Sequence, residues 1–194
     1  MCYWQKGGYY FLMLNRIIND VNKALDNEAY FAAIALILTI PDICGKAEYP
    51  NLANSKERYI KWYDDNIGQY EQSPQDDDTV IMHYLSGEVV YSLRCSMIHQ
   101  GNPNIETQKI KDVNNKVDRF ILYIEPKNEF DIYCDMREVT LNNWNNQIER
   151  IYHISVRRLC LIMCLSASHF YKESIEKFNF FNYSIQESNT DNKN

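Results

Sequence analysis

Arg94 and His99 are the two residues whose types and spacing could support chemistry in this chain. An imidazole exchanges protons near neutral pH, and a guanidinium presents a planar fork of donors to an anion. At roughly 100° per residue, a five-residue step along an α-helix separates the two side chains by about 140°. We therefore expect them to meet one ligand only if the arginine reaches around the helix end, or if a second subunit supplies its own copy across a two-fold axis.

The pair lies near the end of a long apolar segment, which the sequence predicts as one helix from residue 79 to residue 101. Apolar side chains recur there every four residues, a spacing typical of a buried helical stripe. They are Ile81, Leu85, Val89, Leu93 and Met97. Gly101 and Pro103 follow, and both residue types are typical of a helix end.

The string from Leu93 to Pro103, with four residues between Arg94 and His99, resembles the signature of the HEPN superfamily of helical nucleotide-binding and ribonuclease domains. The resemblance extends over roughly residues 11–177 and implies a mainly α fold, an up-and-down bundle of about five helices. Many ribonuclease members place Asn, Asp or His directly after the arginine, where this chain has Cys95. A thiol orients a neighbour less well than an amide or a carboxylate does.

This resemblance implies a metal-independent endoribonuclease in which a ribose 2′-OH attacks the adjacent phosphate. His99 would act as general acid or base, and Arg94 would stabilise charge on the phosphate. RNA would be the substrate, and neither a metal nor another cofactor would be needed. The resemblance also suggests a toxin or phage-defence effector, with an antitoxin or regulatory protein as a partner. We expect a homodimer through the motif helix, because each chain offers Arg94 and His99 on divergent faces.

A second hypothesis stays open, in which the chain is a non-catalytic HEPN-like module that binds a nucleotide, RNA or a partner protein. In that case Arg94 would form a structural ion pair with Glu88 or Asp42, and His99 would cap its own helix. Asp42 itself could equally be a turn or cap residue. The formal charge of −6 favours this hypothesis mildly, because an acidic protein has no general affinity for polyanions. Any contact with RNA must then be local.

The cysteines and the apolar runs bear on the cellular location. Six cysteines have no disulfide-scaffold spacing, and the sequence has no signal-peptide pattern, so we expect reduced thiols in a cytoplasm. The longest apolar run, residues 29–40, is too short to span a bilayer. We therefore expect no membrane association.

The remaining elements are predicted as one domain over residues 1–183, with a disordered tail at 184–194. An irregular lead-in covers residues 1–10. Helices are expected at 11–25, at 28–40 with a kink at Pro41 and a continuation to 45, at 56–70 with Ser55 as N-cap, and from Asn142 or Asn143 to Lys177. A β-hairpin is expected at 117–137, between the motif helix and the last helix.

Three other groups of residues could carry chemistry, and each has a plainer explanation. His153, Cys160 and Cys164 would share a stripe of the last helix, but they would span about 16 Å, too far for one zinc ion. The run at 76–78 of three aspartates is expected to be a solvated linker rather than a metal site. Cys95 lies one turn before His99, although the sequence supplies no further group to make it a nucleophile.

Overall fold

The computed structural model describes residues 4–71, 84–100, 110–111, 116–124, 134–141 and 147–180. The predicted class is confirmed, because the protein is mainly helical with a small sheet. Its α-helices are α1 (Trp4–Asp26), α2 (Tyr30–Ile37), α3 (Ile40–Glu48), α4 (Ser55–Tyr63), α5 (Gln69–Glu71), α6 (Gly87–Arg94) and α7 (Val156–Glu173). Its strands are β1 (Arg119–Tyr123), β2 (Cys134–Leu141) and β3 (Gln147–Ser155). The tail predicted at 184–194 lies outside the described residues.

The first helices follow the predicted pattern with two changes. Helix α1 begins at Trp4, so the irregular lead-in predicted up to residue 10 is wrong over residues 4–10. The predicted kink at Pro41 is confirmed as a break between α2 and α3, where Thr39 Oγ1 donates to the Leu36 carbonyl across 2.7 Å. Pro41 then lies in the first turn of α3, where the missing proline N–H costs nothing.

Residues 30–48 are the one stretch, within the described residues, that is apolar and long enough to cross a membrane by length and composition. Half of this window is buried inside the protein, and the break before Pro41 divides it into two short helices. A core segment of a soluble protein has the same composition, so the stretch is weak evidence for a membrane span.

The spacing of apolar residues predicts a buried face for α4 formed by Tyr59, Ile60, Trp62, Tyr63 and Ile67, which is confirmed except at the half-buried Ile60, whereas the predicted cap is wrong. The side chains of Tyr59, Trp62, Tyr63 and Ile67 are buried. The cap is Asn54 rather than Ser55, because Asn54 has an extended backbone and its side chain accepts a hydrogen bond from the Lys56 N–H at 3.0 Å. After Tyr63 the helix widens into a π-helical segment, Asp64–Gly68.

The motif helix is shorter than the predicted span of 79–101. Residues 84–86 are not helical, and α6 begins at Gly87 with Ser86 as N-cap, whose Oγ accepts from the Val89 N–H at 3.4 Å. A second π-helical segment, Cys95–Gln100, continues α6. Residues 79–83 and 101–103 lie outside the described residues. Leu85, Val89 and Leu93 are buried, as the four-residue spacing predicts.

The sheet corrects the predicted pairing of strands. Its order is β1-β3-β2, with β1 parallel and β2 antiparallel to β3. The hairpin predicted at 117–137 is therefore wrong, since β1 and β2 lie on opposite sides of β3.

Residues 147–155 were predicted as the start of the last helix but form the central strand. Helix α7 begins only at Val156, capped by Ser155, whose Oγ accepts from the Arg158 N–H at 3.2 Å. Asn142 and Asn143 lie outside the described residues.

Candidate site around Arg94

Arg94, the last residue of α6, forms an ion pair with Asp42 in the first turn of α3. Its Nε donates to Asp42 Oδ2 across 2.6 Å. The two side chains are 18% and 26% exposed, so water screens the pair only in part. Of the two structural partners considered from the sequence, Asp42 is the one observed here. Glu88 instead pairs with Lys56 at 3.5 Å and accepts from the backbone N–H of Lys111 at 3.0 Å.

Two tyrosine rings also contact the Arg94 guanidinium. Its Cζ lies 5.6 Å from the centre of the Tyr91 ring and 5.9 Å from that of Tyr59. The two rings meet edge to face with their centres 5.2 Å apart. A guanidinium over an aromatic face gains a cation–π attraction that strengthens as water is excluded. A carboxylate and two rings thus fix the orientation of this cation.

The charges in this cluster reinforce one another. Burial lowers the pKa of Arg94, but the charge and the hydrogen bond of Asp42 outweigh it, and the net pKa is raised. Burial is the main cause that raises the pKa of Tyr59, with Asp42 adding to it. Arg94 therefore stays charged and Tyr59 stays a neutral phenol. The buried Tyr59 hydroxyl has no hydrogen-bond partner in the described part of the chain.

Two glycines allow the helices to approach closely enough for this cluster to form. A Cβ at Gly87 would lie 2.6 Å from the Ile60 carbonyl oxygen, and one at Gly45 would lie 2.6 Å from that of Arg58. In addition, Asp64 Oδ1 accepts from the Gly87 N–H at 2.6 Å, which fixes the start of α6 against α4. These contacts bring α3, α4 and α6 together, and with them Asp42, Tyr59 and Arg94.

His99 lies in the π-helical segment Cys95–Gln100. Such a segment bonds residue i to i+5 and so has more residues per turn than an α-helix. The separation of about 140° was derived for an α-helix, and a π-helical turn brings positions five apart nearer to one face. The His99 side chain is outside the described part of the protein. That it converges with Arg94 on one ligand stays a prediction.

Within the described residues, the other candidates do not form a second reactive site. His153 lies on β3 and not on α7, so the predicted stripe with Cys160 and Cys164 is wrong; its ring is 5.4 Å from that of Tyr123. Cys160 and Cys164 are buried thiols, and burial raises the pKa of each to about 12. No group of three or more His, Cys, Asp or Glu side chains in the described residues could hold a metal ion. The aspartates at 76–78 lie outside those residues.

The sequence did not identify the two tyrosines as part of the site. Tyr91 precedes Arg94 by three residues on one helix, and this spacing was the available signal. Tyr59 carried no such signal, because it lies on another helix, where its spacing is that of an ordinary core residue.

Comparisons of the chain with protein-family models, with curated proteins and with solved structures find no match.

Proposed function

We propose that this chain is a HEPN-type, metal-independent endoribonuclease with Arg94 and His99 as its catalytic pair. The observation that supports this most is the preorganised guanidinium of Arg94, which Asp42 and two tyrosine rings hold directly before the π-helical segment that carries His99. A cation that is fixed before the reaction stabilises developing charge without paying for reorganisation. Single π-helical turns within α-helices are also frequent at functional sites.

The reaction would proceed by attack of a ribose 2′-oxygen on the adjacent phosphate. The new bond joins the 2′-oxygen to phosphorus, the bond from phosphorus to the 5′-oxygen breaks, and the products are a 2′,3′-cyclic phosphate and a 5′-hydroxyl. The 2′-hydroxyl loses a proton and the leaving 5′-oxygen gains one; His99 would carry out one of these two transfers and water the other. The sequence predicts that His99 lies near the C-terminal end of the motif helix, which would favour the protonated form. Arg94 would bind the non-bridging phosphate oxygens.

The proposal includes a homodimer through the motif helix, so that two copies of the pair build one phosphate site. It also includes a cytoplasmic location without membrane association. Four cysteines of the described residues are free thiols, in keeping with a reducing compartment. An antitoxin or another regulatory protein would restrain such a toxin or phage-defence effector. Light scattering should report twice the chain mass of 23.0 kDa, and a clean monomer at micromolar concentration would contradict the dimer.

The test of the activity is incubation of the purified protein with total RNA in EDTA. We expect cleavage that leaves cyclic phosphate ends, that EDTA does not inhibit, and that the His99→Ala variant loses. His169→Ala is the matched control, because it removes an exposed histidine of α7 away from Arg94. Equal cleavage by wild type and His99→Ala would identify a contaminating nuclease and reject the proposal.

The short ion pair between Arg94 and Asp42 also favours the second candidate, a non-catalytic HEPN-like module that binds a nucleotide, RNA or a partner protein. A guanidinium already bound by a carboxylate at 2.6 Å can serve as a structural link between α3 and α6. Filter binding of labelled RNA in EDTA separates the two functions. Saturable binding without cleavage, weakened by Arg94→Ala, would favour the module over the nuclease.

A further inference from the structure

A cleft of about 370 Å³ lies between the C-terminal ends of α3 and α7 and the π-helical segment Asp64–Gly68. Its volume is in the range of sites for small organic ligands. Three carboxylates line it, those of Glu48, Asp65 and Glu173, together with the rings of Tyr49 and Phe170. Asp42, Tyr59 and Tyr91, the described contacts of Arg94, do not line this cleft, so it is separate from the site described above.

Two lysine ammonium groups of the protein itself lie around this cleft, each beside one carboxylate and one aromatic ring. Lys61 Nζ lies 2.9 Å from Asp65 Oδ2 and 5.0 Å from the centre of the Tyr49 ring. Lys177 Nζ lies 2.6 Å from Glu48 Oε2 and 5.8 Å from the centre of the Phe170 ring. Each lysine thus meets one carboxylate and one aromatic face, the combination that recognises an organic cation.

Glu173 is the third carboxylate, and the described residues place no cation on it. It is the last residue of α7, and its side chain is exposed on the wall of the cleft. The cleft therefore has three carboxylates against two ammonium groups, Lys61 at Asp65 and Lys177 at Glu48, which leaves one formal negative charge at Glu173. This balance leaves room for a further cation.

Two helix ends add to the negative potential in the cleft. Helix α3 ends at Glu48 and the longer helix α7 ends at Glu173, and both residues line the cleft. The carbonyl groups at the C-terminal end of a helix carry about half a negative charge in sum, which favours a cation nearby. This contribution comes from the backbone and is independent of the carboxylates.

We propose that this cleft binds a small organic amine, with one ammonium group of the ligand at Glu173 and its carbon chain along the rings of Tyr49 and Phe170. An amine fits better than a bare metal ion, because the described carboxylates and histidines form no group that could hold a metal. It also fits better than an anion, which the charges of the cleft would repel. A short diamine or polyamine has the size and the charge for this space.

The test uses the full chain and isothermal titration calorimetry with 1,4-diaminobutane at low ionic strength. We expect one saturable site for the diamine and none for 1,4-butanediol, which has the same carbon chain without the charges. The Glu173→Gln variant should bind the diamine about fivefold more weakly, the upper end of what one exposed ion pair contributes. Glu176→Gln is the matched control, because Glu176 is exposed in the next turn of the chain and does not line the cleft.

Backbone amide shifts in NMR spectra locate the bound diamine. We expect them to change at Asn66 and Ser174, which line the cleft from two different elements. Three results would each overturn the proposal: no saturable binding, equal binding of the diol, or equal weakening by Glu173→Gln and Glu176→Gln. The last result would mean that the amine responds only to the net charge of the protein.

Discussion

The Nε atom of Arg94 and the Oδ2 atom of Asp42 lie 2.6 Å apart and join the end of α6 to the first turn of α3. Both side chains are mostly shielded from water, so their attraction is stronger than that of an exposed pair. Arg94 therefore stabilises the fold whether or not it also binds a phosphate. A loss of activity in an Arg94 variant has to be compared with its loss of stability.

The Asp42→Asn variant tests the energy of this link. We expect it to lower the free energy of unfolding by about 1–3 kcal/mol, because the Asn oxygen can still accept from Arg94 Nε but the negative charge that compensates the half-buried guanidinium is removed. Urea denaturation measures the change. Asp20→Asn is the control, since Asp20 lies 3.9 Å from Lys23 on an exposed surface, and it should change stability by less than about 0.5 kcal/mol. Equal effects of the two variants would mean that the Asp42 contact contributes nothing.

Neighbouring residues on the motif helix should differ in their effect on stability. Leu93 is 2% exposed, so Leu93→Ala should cost about 2–5 kcal/mol through lost burial and a cavity. His99→Ala should cost no more than about 1 kcal/mol, as for a polar residue near a helix end. Leu161→Ala controls for the substitution itself, because Leu161 is 47% exposed. If thermal melts show His99→Ala to be as damaging as Leu93→Ala, then His99 supports the core, and the catalytic role proposed for it loses its basis.

Helical patterns predicted much of the fold, because they depend on residues close in sequence. The buried face of α4 and the break before Pro41 are examples. The central strand β3 was missed for the same reason: Ile148, Ile151 and Ile154 recur every three residues and fit a helical stripe equally well. Only pairing with β1 and β2 makes residues 147–155 a strand, and those partners lie elsewhere in the sequence.

The candidate site was predictable in part. The sequence pointed to Arg94 and named Asp42 as one of two possible partners, but it could not choose between Asp42 and Glu88. That choice depends on how helices cross, which here rests on the close approaches at Gly45 and Gly87. No sequence pattern indicated that the helix continues after Arg94 as the π-helical segment Cys95–Gln100. The angle predicted for this pair assumed α-helical geometry, which the segment after Arg94 does not have.

Substitution of Gly87 tests the close approach of α6 to α4. A Cβ at this position would lie 2.6 Å from a backbone oxygen of Ile60, which cannot move away alone. We expect Gly87→Ala to destabilise the protein by about 1–3 kcal/mol, in the range of overpacked sites. A melting temperature of Gly87→Ala equal to that of wild type would contradict the packing described here.

Asp64 and Asp65 are neighbours in sequence with opposite electrostatic surroundings. Burial raises the pKa of Asp64 above 3.8, although the hydrogen bond from the Gly87 N–H works against it. Burial also acts to raise the pKa of Asp65, but hydrogen bonds from Tyr49 and Lys61 and the charge of Lys61 outweigh it, and the net pKa is lowered. The folded protein therefore binds a proton at Asp64 more tightly, and one at Asp65 more weakly, than the unfolded chain does.

These opposite shifts predict opposite dependences of stability on pH. The stability linked to Asp64 is present below its unfolded pKa of about 3.8 and is lost as the pH rises through the higher folded value. The stability linked to Asp65 is present above about 3.8 and is lost as the pH falls through the lower folded value. Urea denaturation from about pH 3 to about pH 6 should show this. With rising pH, wild type should lose stability relative to Asp64→Asn and gain it relative to Asp65→Asn. If the stability of wild type relative to each variant changed in the same direction with rising pH, the surroundings of Asp64 or Asp65 would not be as described.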